Sequence, residues 1–470
     1  MTAGPLDFRL HTGWGTTAVT VLDDLDNTAD RRRPSTALFT DRYELTMVDA
    51  ALRSGVAHHR AVFEVFARRL PAARPYGVVA GTGRVLDAIE DFRFDDEVMG
   101  ALEDQNVLSP QGMDWLGDFR FTGSIYGYAE GELHFAGSPV LTVEASFAEA
   151  VLLETVILSI LNHDSAVASA AARMVDAALG RPLIEGGSRR THERAAVSAA
   201  RAAFIAGFDA TSNLEAGRLY DIPTVGTAAH AFVLAHANEA DAFTAQRETL
   251  GPDSIYLVDT YDVATGVQTA LDVVGPKIGG VRIDSGDLAD EAFQARALLD
   301  QAGATSARII ASGDLDEDRI DALASAPIDG YLAGTEVVTG SGAPTVGLVY
   351  KLVAIADSAS NTSTLRAVAK QSSGKSDVGG RKFAHRVLDA EGNAVREEVL
   401  VRHTWSPTRP APITSEGRGL QVPFFQQGVR LNHDTAHDAR RLCHRARAEL
   451  SDEARTIQAT DPAIPTRPPH

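Results

Sequence analysis

Short apolar runs alternate with helical patterns through residues 181–354. Each run is followed by a stretch in which apolar residues recur every three or four positions, which is typical of βα units around a parallel sheet. The predicted strands are Leu183–Glu185, Phe208–Thr211, Ile222–Val225, Ile255–Asp259, Ile278–Asp284, Ile309–Ala311 and Gly330–Ala333, and the predicted helices include Glu193–Ala206, Leu288–Gln301 and Glu317–Ser325. Such units close into a barrel or wind into an open sheet, and the pattern alone leaves both architectures open.

The segments on either side of this region also carry strand patterns. Residues 120–143 alternate in hydrophobicity between glycines, which predicts antiparallel strands, and a long helix is predicted from Phe147 to Ala178. Strand patterns return after Tyr350, so we expect the chain to rejoin its first domain there. The predicted sections are a flexible tail at 1–36, an α+β domain with a linking helix at 37–180, an α/β domain at 181–354, a returning segment at 355–455 and a tail at 456–470.

Composition narrows the class of protein. The 470-residue chain has a formal net charge of −19, and a strongly acidic protein is unsuited to binding nucleic acid or an anionic membrane. Its single cysteine, Cys443, excludes an internal disulfide and a cysteine-based zinc site. No run reaches the roughly 18 apolar residues of a membrane span, and no secretory signal pattern is present. We therefore predict a cytoplasmic protein that binds neither nucleic acid nor membrane.

Polar and glycine residues follow every predicted strand, and active sites gather at the carboxyl ends of parallel strands. Ser285–Asp287 and Ser312–Asp314 are Ser-Gly-Asp turns that precede helices, and Gly334-Thr335 is a third such turn. Glycine lets backbone N–H groups approach an anion, and a helix N-terminus adds partial positive charge. Helix capping by serine and aspartate is the structural alternative. Together with Arg189 and Arg282, the three turns favour a site for a phosphorylated sugar.

The common nucleotide-binding motifs are absent from the sequence. Gly374-Lys375-Ser376 has Ala369 where a phosphate-binding loop requires glycine, and Gly340-Ser341-Gly342 lacks the third glycine of a dinucleotide-binding turn. His230 stands about one helical turn beyond a predicted strand end. A neutral imidazole serves as a nucleophile or an acid/base near physiological pH, whereas a lone histidine among alanines is often a partly buried structural residue. The spacing leaves these roles open.

Taken together and in order, the motifs of the chain resemble those of the nicotinate phosphoribosyltransferases, a family of type II phosphoribosyltransferases. The resemblance runs from about Leu38 to Arg402, which is most of the chain, and the set of motifs is specific although no single one would be. The motifs are Thr40–Tyr43, Glu185–Arg190, Ser212-Asn213, Gly226-Thr227 with His230, Val258–Asp262, Arg282–Asp287, Ser312–Asp314 and Gly334–Lys351.

The resemblance implies a fold and a reaction. The fold is an irregular, incomplete TIM-like α/β barrel with a smaller α+β domain built from the N- and C-terminal segments. The reaction converts nicotinate and 5-phosphoribosyl 1-diphosphate into nicotinate mononucleotide and diphosphate. It is coupled to ATP hydrolysis, is classed with the ligases and begins NAD salvage from nicotinic acid. The implied cofactor is Mg²⁺, ATP is a co-substrate, and the implied assembly is a head-to-tail homodimer with the active site between subunits.

The resemblance also implies roles for individual residues. His230 would be phosphorylated by ATP, and Asp284 and Asp287 would hold Mg²⁺ through water. Tyr43 and Asp41 would come from the partner subunit, with the tyrosine stacked on the pyridine ring. The residues implied to bind nicotinate are Tyr43, Asp41, Thr227 and Arg282, and those implied to bind phosphoribosyl diphosphate are Arg189, Arg282, Asp284, Ser285, Ser312, Gly313, Asp314, Gly334 and Thr335.

One position departs from the family pattern. Gly186 stands where we expect an aromatic residue that packs against the pyridine ring. The glycine keeps open a nicotinamide-using phosphoribosyltransferase and a non-catalytic metabolite-binding paralogue, while His230 argues against a quinolinate enzyme because those lack ATP coupling. An unrelated barrel lyase or isomerase acting on a sugar phosphate is a further alternative that rests only on the phosphate-type turns.

Overall fold

The computed structural model describes residues 33–360, 364–372, 375–376, 378–402 and 417–467. The predicted N-terminal tail lies outside the described residues up to position 32, and so do residues 468–470 of the predicted C-terminal tail.

Helices and strands fall into three consecutive sections of the chain. The first section contains α1 (Arg42–Ser54), a 3₁₀ turn (Val56–His58), β1 (Arg60–Ala67), β2 (Gly77–Val78), α2 (Thr82–Glu90), α3 (Asp96–Asp104), α4 (Pro110–Gly117), β3 (Ser124–Tyr128), β4 (Leu133–His134), β5 (Leu141–Ser146), α5 (Phe147–Val151) and α6 (Glu154–Ala177). The second contains β6 (Leu183–Glu185), a 3₁₀ turn (Ser188–Arg190), α7 (Glu193–Ala206), β7 (Ala210–Thr211), α8 (Leu214–Tyr220), α9 (His230–Leu234), α10 (Glu239–Leu250), β8 (Ile255–Leu257), α11 (Val263–Val274), β9 (Gly280–Ile283), α12 (Leu288–Gln301), β10 (Arg308–Ser312), α13 (Glu317–Ala322), β11 (Gly330–Ala333) and α14 (Thr335–Val338). The third contains β12 (Leu348–Ala356), β13 (Leu365–Ala367), β14 (Gln371–Ser372), β15 (Lys375–Ser376), β16 (Arg381–Leu388), β17 (Ala394–Arg402), β18 (Gly417–Gly419), β19 (Gln421–Gln426), β20 (Val429–Arg430), α15 (Ala436–Ala448), α16 (Asp452–Arg455) and β21 (Thr466–Arg467).

The second section forms a six-stranded parallel sheet in the order β7-β6-β11-β10-β9-β8. The last strand, β11, pairs with the first, β6, so the sheet curls back on itself as in a barrel. The predicted bounds are confirmed without change for β6, β11, α7 and α12, whereas α13 ends at Ala322 rather than Ser325. The predicted incomplete α/β barrel is thereby confirmed.

The predicted strand Ile222–Val225 is wrong. Pairing is limited to one isolated bridge between Thr224 and Thr211. Pro223 has no N–H to donate to a neighbouring strand, and residues 223–227 are exposed to solvent. Among the described strands, β8 pairs only with β9, so the barrel is open between Thr224 and β8. The chain follows this gap as an exposed loop and enters α9 at His230.

Side chains along the barrel strands alternate between the surrounding helices and the barrel interior. The helix-facing positions belong to one buried apolar core and include Leu183, Tyr256, Val281, Ile309 and Tyr331. The residues that follow them in sequence point into the barrel and are Ile184, Leu257, Arg282, Ile310 and Leu332. Three of these side chains, on β6, β9 and β11, are partly exposed, so the interior between these strands is open. The guanidinium of Arg282 therefore lies among four aliphatic side chains that point into the barrel.

Both ends of the chain build a seven-stranded antiparallel sheet in the order β13-β12-β1-β5-β3-β19-β20. β12 leaves the barrel and pairs with β1 along its length, which confirms the smaller α+β domain made from N- and C-terminal segments. α15 instead lies against the barrel helix α7, where Arg440 and Arg447 donate to the carbonyl oxygens of Phe204 and Ala206. The bounds of the domains stay a prediction.

The long helix predicted for Phe147–Ala178 is two helices, α5 and α6, separated at Leu152 and Leu153. By length and composition alone, residues 147–177 could cross a bilayer, but 61% of the most apolar window is buried inside the protein, as in a core helix. α6 packs against β12 of the antiparallel sheet and α7 of the barrel, and it thus joins the two layers.

A buried ion pair provides a test of the packing around α7. Arg201 and Glu130 form two N–O contacts of 2.6 Å, and both side chains are 4% exposed. We expect Arg201→Ala to lower the free energy of unfolding by about 3–5 kcal/mol, because the Glu130 carboxylate would be left buried without its charged partner. Urea unfolding followed by circular dichroism measures this loss. Arg194→Ala, at an exposed position of the same helix, should change stability by less than about 0.5 kcal/mol, and equal effects of the two variants would contradict the prediction.

Candidate active site

Side chains at the ends of three neighbouring strands share a hydrogen-bond network. Asp259 is buried just after β8, and its Oδ2 accepts from the backbone N of Asp284 at 3.0 Å and from Ser285 Oγ at 2.6 Å. Ser312, fully buried at the end of β10, donates to Asp284 Oδ1 at 2.6 Å. The carboxyl ends of β8, β9 and β10 are therefore tied together, while Asp284 Oδ2 lies outside this network.

His230 lies beside this network at the start of α9. Its Nδ1 is 3.2 Å from Thr260 Oγ1, and its Nε2 is 3.9 Å from Asp259 Oδ1 and 3.8 Å from Asp284 Oδ2. Within the described part of the chain, Asp259 Oδ1 is buried without a hydrogen-bond partner. The imidazole is 39% exposed, so Nε2 faces two carboxylates and is also accessible to solvent.

Arg282 extends from inside the barrel towards the gap. Its Nη2 donates to the carbonyl oxygen of Ala228 at 3.1 Å, and its Nε is buried with no partner among the described residues. Burial lowers the pKa of Arg282 and the nearby charge of Arg189 lowers it further, while Asp284 and Asp259 act in the opposite direction. The two guanidiniums make a local positive site that suits phosphate or carboxylate oxygens.

Glu185 holds the turn that follows β6. Its buried carboxylate accepts from Thr211 Oγ1 and from the backbone N of Gly187, each at 2.5 Å, and burial raises its pKa. A Cβ atom at Gly187 would lie 2.8 Å from the carbonyl oxygen of Gly334, so the close approach of this turn to the end of β11 requires glycine. The 3₁₀ turn that carries Arg189 begins directly after this contact.

The first Ser-Gly-Asp turn combines the network with a helix cap. Asp287 caps α12, since its Oδ1 accepts from the backbone N of Ala289 at 3.1 Å and of Asp290 at 3.2 Å. Helix capping, the structural alternative to phosphate binding, therefore applies to Asp287. Its second carboxylate oxygen takes no part in the cap. The hydroxyl of Ser285 is likewise engaged, by Asp259.

The other two turns lie at the ends of β10 and β11. Gly313 has φ +99°, and a Cβ atom there would lie 2.4 Å from the carbonyl oxygen of Asp284, so the approach of the two turns requires glycine. Asp314 is exposed in the left-handed conformation, and α13 is capped by Asp316 instead. Gly334-Thr335 begins the short α14 and is partly exposed. Both turns therefore lie at the carboxyl ends of their strands, where the sequence predicts a phosphate site.

Two predicted site residues lie elsewhere in the subunit. Tyr43 and Asp41 stand at the start of α1, next to the N-terminus of α6. Burial and the nearby Glu154 raise the pKa of Tyr43 to about 12, and the groups that act on its hydroxyl belong to α1 and α6 rather than to the barrel. Its side chain is 45% exposed. Neither residue completes the strand-end site of its own subunit.

The last predicted site residue, Thr227, lies at the gap, and two residues of the site were missed. Thr227 is exposed in the gap loop, one residue before the carbonyl that binds Arg282. Asp259 and Thr260 were quoted only as part of a motif, yet they hold Asp284 and His230. Their position directly after a predicted strand was the available signal, because strand-end carboxylates of a parallel sheet meet at one edge.

Comparison with known proteins identifies the family. Residues 38–162 match the model of the nicotinate phosphoribosyltransferase N-terminal domain. The chain is 52% identical over 446 residues to a nicotinate phosphoribosyltransferase of Mycobacterium tuberculosis, covering 93% of this chain and 96% of the relative. It is 40% identical over 364 residues to a nicotinate phosphoribosyltransferase of Bacillus subtilis, covering 76% and 74%. The crystal structure of human nicotinic acid phosphoribosyltransferase superposes with a TM-score of 0.72 at 25% identity, covering 90% of this chain and 96% of that one. The chain belongs to the nicotinate phosphoribosyltransferase family.

Proposed function

We propose that the chain transfers the phosphoribosyl group of 5-phosphoribosyl 1-diphosphate to the ring nitrogen of nicotinate, as the cytoplasmic first step of NAD salvage from nicotinic acid. The bond between C1 of ribose and the diphosphate oxygen breaks, diphosphate leaves with the electron pair, and C1 bonds to the pyridine nitrogen. Positive charge develops on the ribose while negative charge develops on diphosphate. The protein therefore has to position the ring nitrogen and stabilise the leaving charge.

The observation that carries this proposal is the pair of arginines beside the strand-end carboxylates. The buried Nε of Arg282 has no partner in the part of the chain that the structure describes, so this guanidinium suits the carboxylate of nicotinate, and exposed Arg189 suits a phosphate. The carboxylate of nicotinate can accept charge-assisted hydrogen bonds from the guanidinium of Arg282, whereas a neutral amide accepts only weaker ones, and this favours nicotinate over nicotinamide. Asp284 Oδ2, outside the network with Ser312, can accept from a ribose hydroxyl.

ATP coupling through His230 is part of the same proposal. When Nδ1 carries the proton and donates to Thr260 Oγ1, Nε2 keeps a lone pair. Nε2 attacks the γ-phosphorus of ATP, the bond from that phosphorus to the bridging oxygen breaks, and ADP leaves. Water later cleaves the phosphohistidine to inorganic phosphate and free imidazole. The carboxylates of Asp259 and Asp284 stabilise positive charge on the ring during the first step.

Magnesium would enter this site with the diphosphate. Among the described residues, no group of three or more His, Cys, Asp or Glu side chains forms a dedicated metal cage. Mg²⁺ commonly uses one or two carboxylates with substrate phosphates and keeps several waters, and Asp284 Oδ2 and the uncapped oxygen of Asp287 fit that role. Bound Mg²⁺ supplies charge neutralisation for the leaving diphosphate. The chain's own contribution is to hold Asp284 in place through Ser312 and Asp259.

The proposed assembly is a homodimer in which Asp41 and Tyr43 complete the site of the partner. Tyr43 is exposed together with Leu38 and Phe39, which are 46% and 67% exposed, so α1 begins beside an open apolar surface. Apolar side chains near the barrel gap, such as Leu234 at 59%, are exposed as well. Joining the two surfaces head to tail would bury both and stack the tyrosine ring on the pyridine.

Incubation of the purified protein with phosphoribosyl diphosphate and nicotinate, nicotinamide or quinolinate tests this function. Each mixture is run with and without ATP and Mg²⁺, and products are separated by chromatography and identified by mass. We expect nicotinate mononucleotide, formed faster with ATP. A nicotinamide or quinolinate product in its place would contradict the proposed substrate. No mononucleotide from any pyridine would contradict catalysis and favour the metabolite-binding paralogue.

A substitution of Asp259 tests the role of its carboxylate beside His230. We expect Asp259→Asn to reduce the ATP-stimulated rate about 10- to 100-fold, because the amide lacks the negative charge that faces His230 Nε2 and stabilises the ring as it is phosphorylated. Asp262→Asn is the matched control, since Asp262 is an exposed helix cap and asparagine also caps helices. Equal ATP-stimulated rates for the Asp259 variant and the unmodified protein would contradict the role.

A further inference from the structure

Leu332 occupies the space beside Gly186 in which a side chain at 186 would lie. A Cβ atom built on Gly186 would be 2.7 Å from Leu332 Cδ2 and 3.2 Å from its Cγ. The two residues are held together by the backbone, since Gly186 N donates to the carbonyl oxygen of Ala333 at 2.8 Å. Positions 186 and 332 therefore share one volume, which only one large side chain can fill.

The side chain of Leu332 faces the barrel interior. Tyr331 and Ala333, on either side of it, are 0% exposed in the helix-facing core, whereas Leu332 is partly exposed. Its register partners on the two neighbouring strands are Ile184 and Ser312. Ser312 is the residue that binds Asp284 Oδ1, so Leu332 stands one strand away from the polar network.

An apolar surface and a cation thus meet inside the barrel. Leu332 and Ile184 are partly exposed, and Arg282 lies in the same interior with its Nε unpartnered among the described residues. A flat ring can lie against branched aliphatic side chains, and a carboxylate on that ring can pair with a guanidinium. This combination suits an aromatic acid. It does not suit the sugar phosphate, whose hydroxyls and phosphate oxygens need hydrogen-bonding partners along most of their surface.

We propose that Leu332 is a specificity-determining residue, which packs against the pyridine ring of nicotinate as the wall that Gly186 cannot provide. This inference rests on the proposed function and adds to it the surface that holds the ring. It also couples positions 186 and 332, because a leucine at position 332 leaves room only for glycine at position 186.

Steady-state kinetics of variants at both positions test the inference. We expect Leu332→Ala to raise the KM for nicotinate about 10-fold or more, with the KM for phosphoribosyl diphosphate within about twofold, because only ring contacts are lost. Gly186→Phe alone should disable binding, since the ring would collide with Leu332. Gly186→Phe combined with Leu332→Gly should recover nicotinate binding, because a large side chain then fills the shared volume from the other strand.

Leu298→Ala is the matched control, because this partly buried leucine packs on the outer side of the barrel core. It should leave both KM values unchanged. Thermal unfolding of every variant confirms folding, and Leu332→Val should give a smaller change in the same direction if Leu332→Ala does not fold. An unchanged nicotinate KM in the folded Leu332 variants, or equal rises in both KM values, would overturn the inference. Either result requires an active parent protein, so it is distinct from failure of the proposed function.

Discussion

Replacing His230 by alanine is expected to abolish ATP hydrolysis and ATP-stimulated turnover, while slow ATP-independent transfer survives. We expect the ATP-dependent rate to fall on the order of 10³-fold or more, because removal of a nucleophile leaves only binding and positioning. The strand-end network does not depend on the imidazole, since Asp259, Asp284, Ser285 and Ser312 bond to one another. The transfer step should therefore remain measurable.

The measurement follows ADP and nicotinate mononucleotide in parallel, with and without ATP. Incubation with γ-³²P-labelled ATP should label the unmodified protein in an acid-labile, alkali-stable form and leave the variant unlabelled. His444→Ala, on the exposed side of α15, is the control and should behave as the unmodified protein. Retained ATP coupling or retained label in the His230 variant would remove the role proposed for this residue.

The second large effect is expected for Arg282→Ala, which should lower kcat/KM for nicotinate about 10²- to 10³-fold. Its Nε is buried without a partner among the described residues, so loss of the side chain leaves a substrate carboxylate without its charge-assisted bonds. It also removes a cation that lies close to Asp284 and Asp259. Arg282→Lys should recover only part of the activity, because an ammonium group cannot make the paired contacts of a guanidinium.

Arg308→Ala provides the comparison for this variant. Arg308 is exposed at the opposite end of β10, the strand next to β9, so its removal changes net charge without reaching the strand-end site. Its kcat/KM should stay within about twofold of the unmodified protein, as for surface substitutions. Comparable losses in the two variants would contradict the position proposed for the nicotinate carboxylate, and so would an Arg282→Ala enzyme with unchanged kinetics.

Much of the barrel followed from local pattern. The bounds of β6, β11, α7 and α12 were predicted without error, because each is delimited by a change of hydrophobic period and by capping or turn residues next to it. The strand pattern likewise placed Asp284 and Ser312 at the ends of neighbouring strands. Element bounds and strand-end positions depend on residues that are neighbours along the chain, so the sequence alone is enough to predict them.

The tertiary structure decided which of these residues meet. Residues 222–225 have a strand pattern, yet the gap in the barrel leaves them with one bridge, because a strand exists only where a partner is in register. Asp259 became the link between β8, β9 and Ser285 only through contacts with residues 25 and 26 positions away. Leu332 fills the space at Gly186 from a paired strand that is far away in sequence. Local composition determines an element, whereas contacts between elements depend on how the sheet closes, and that is set by packing of the whole chain.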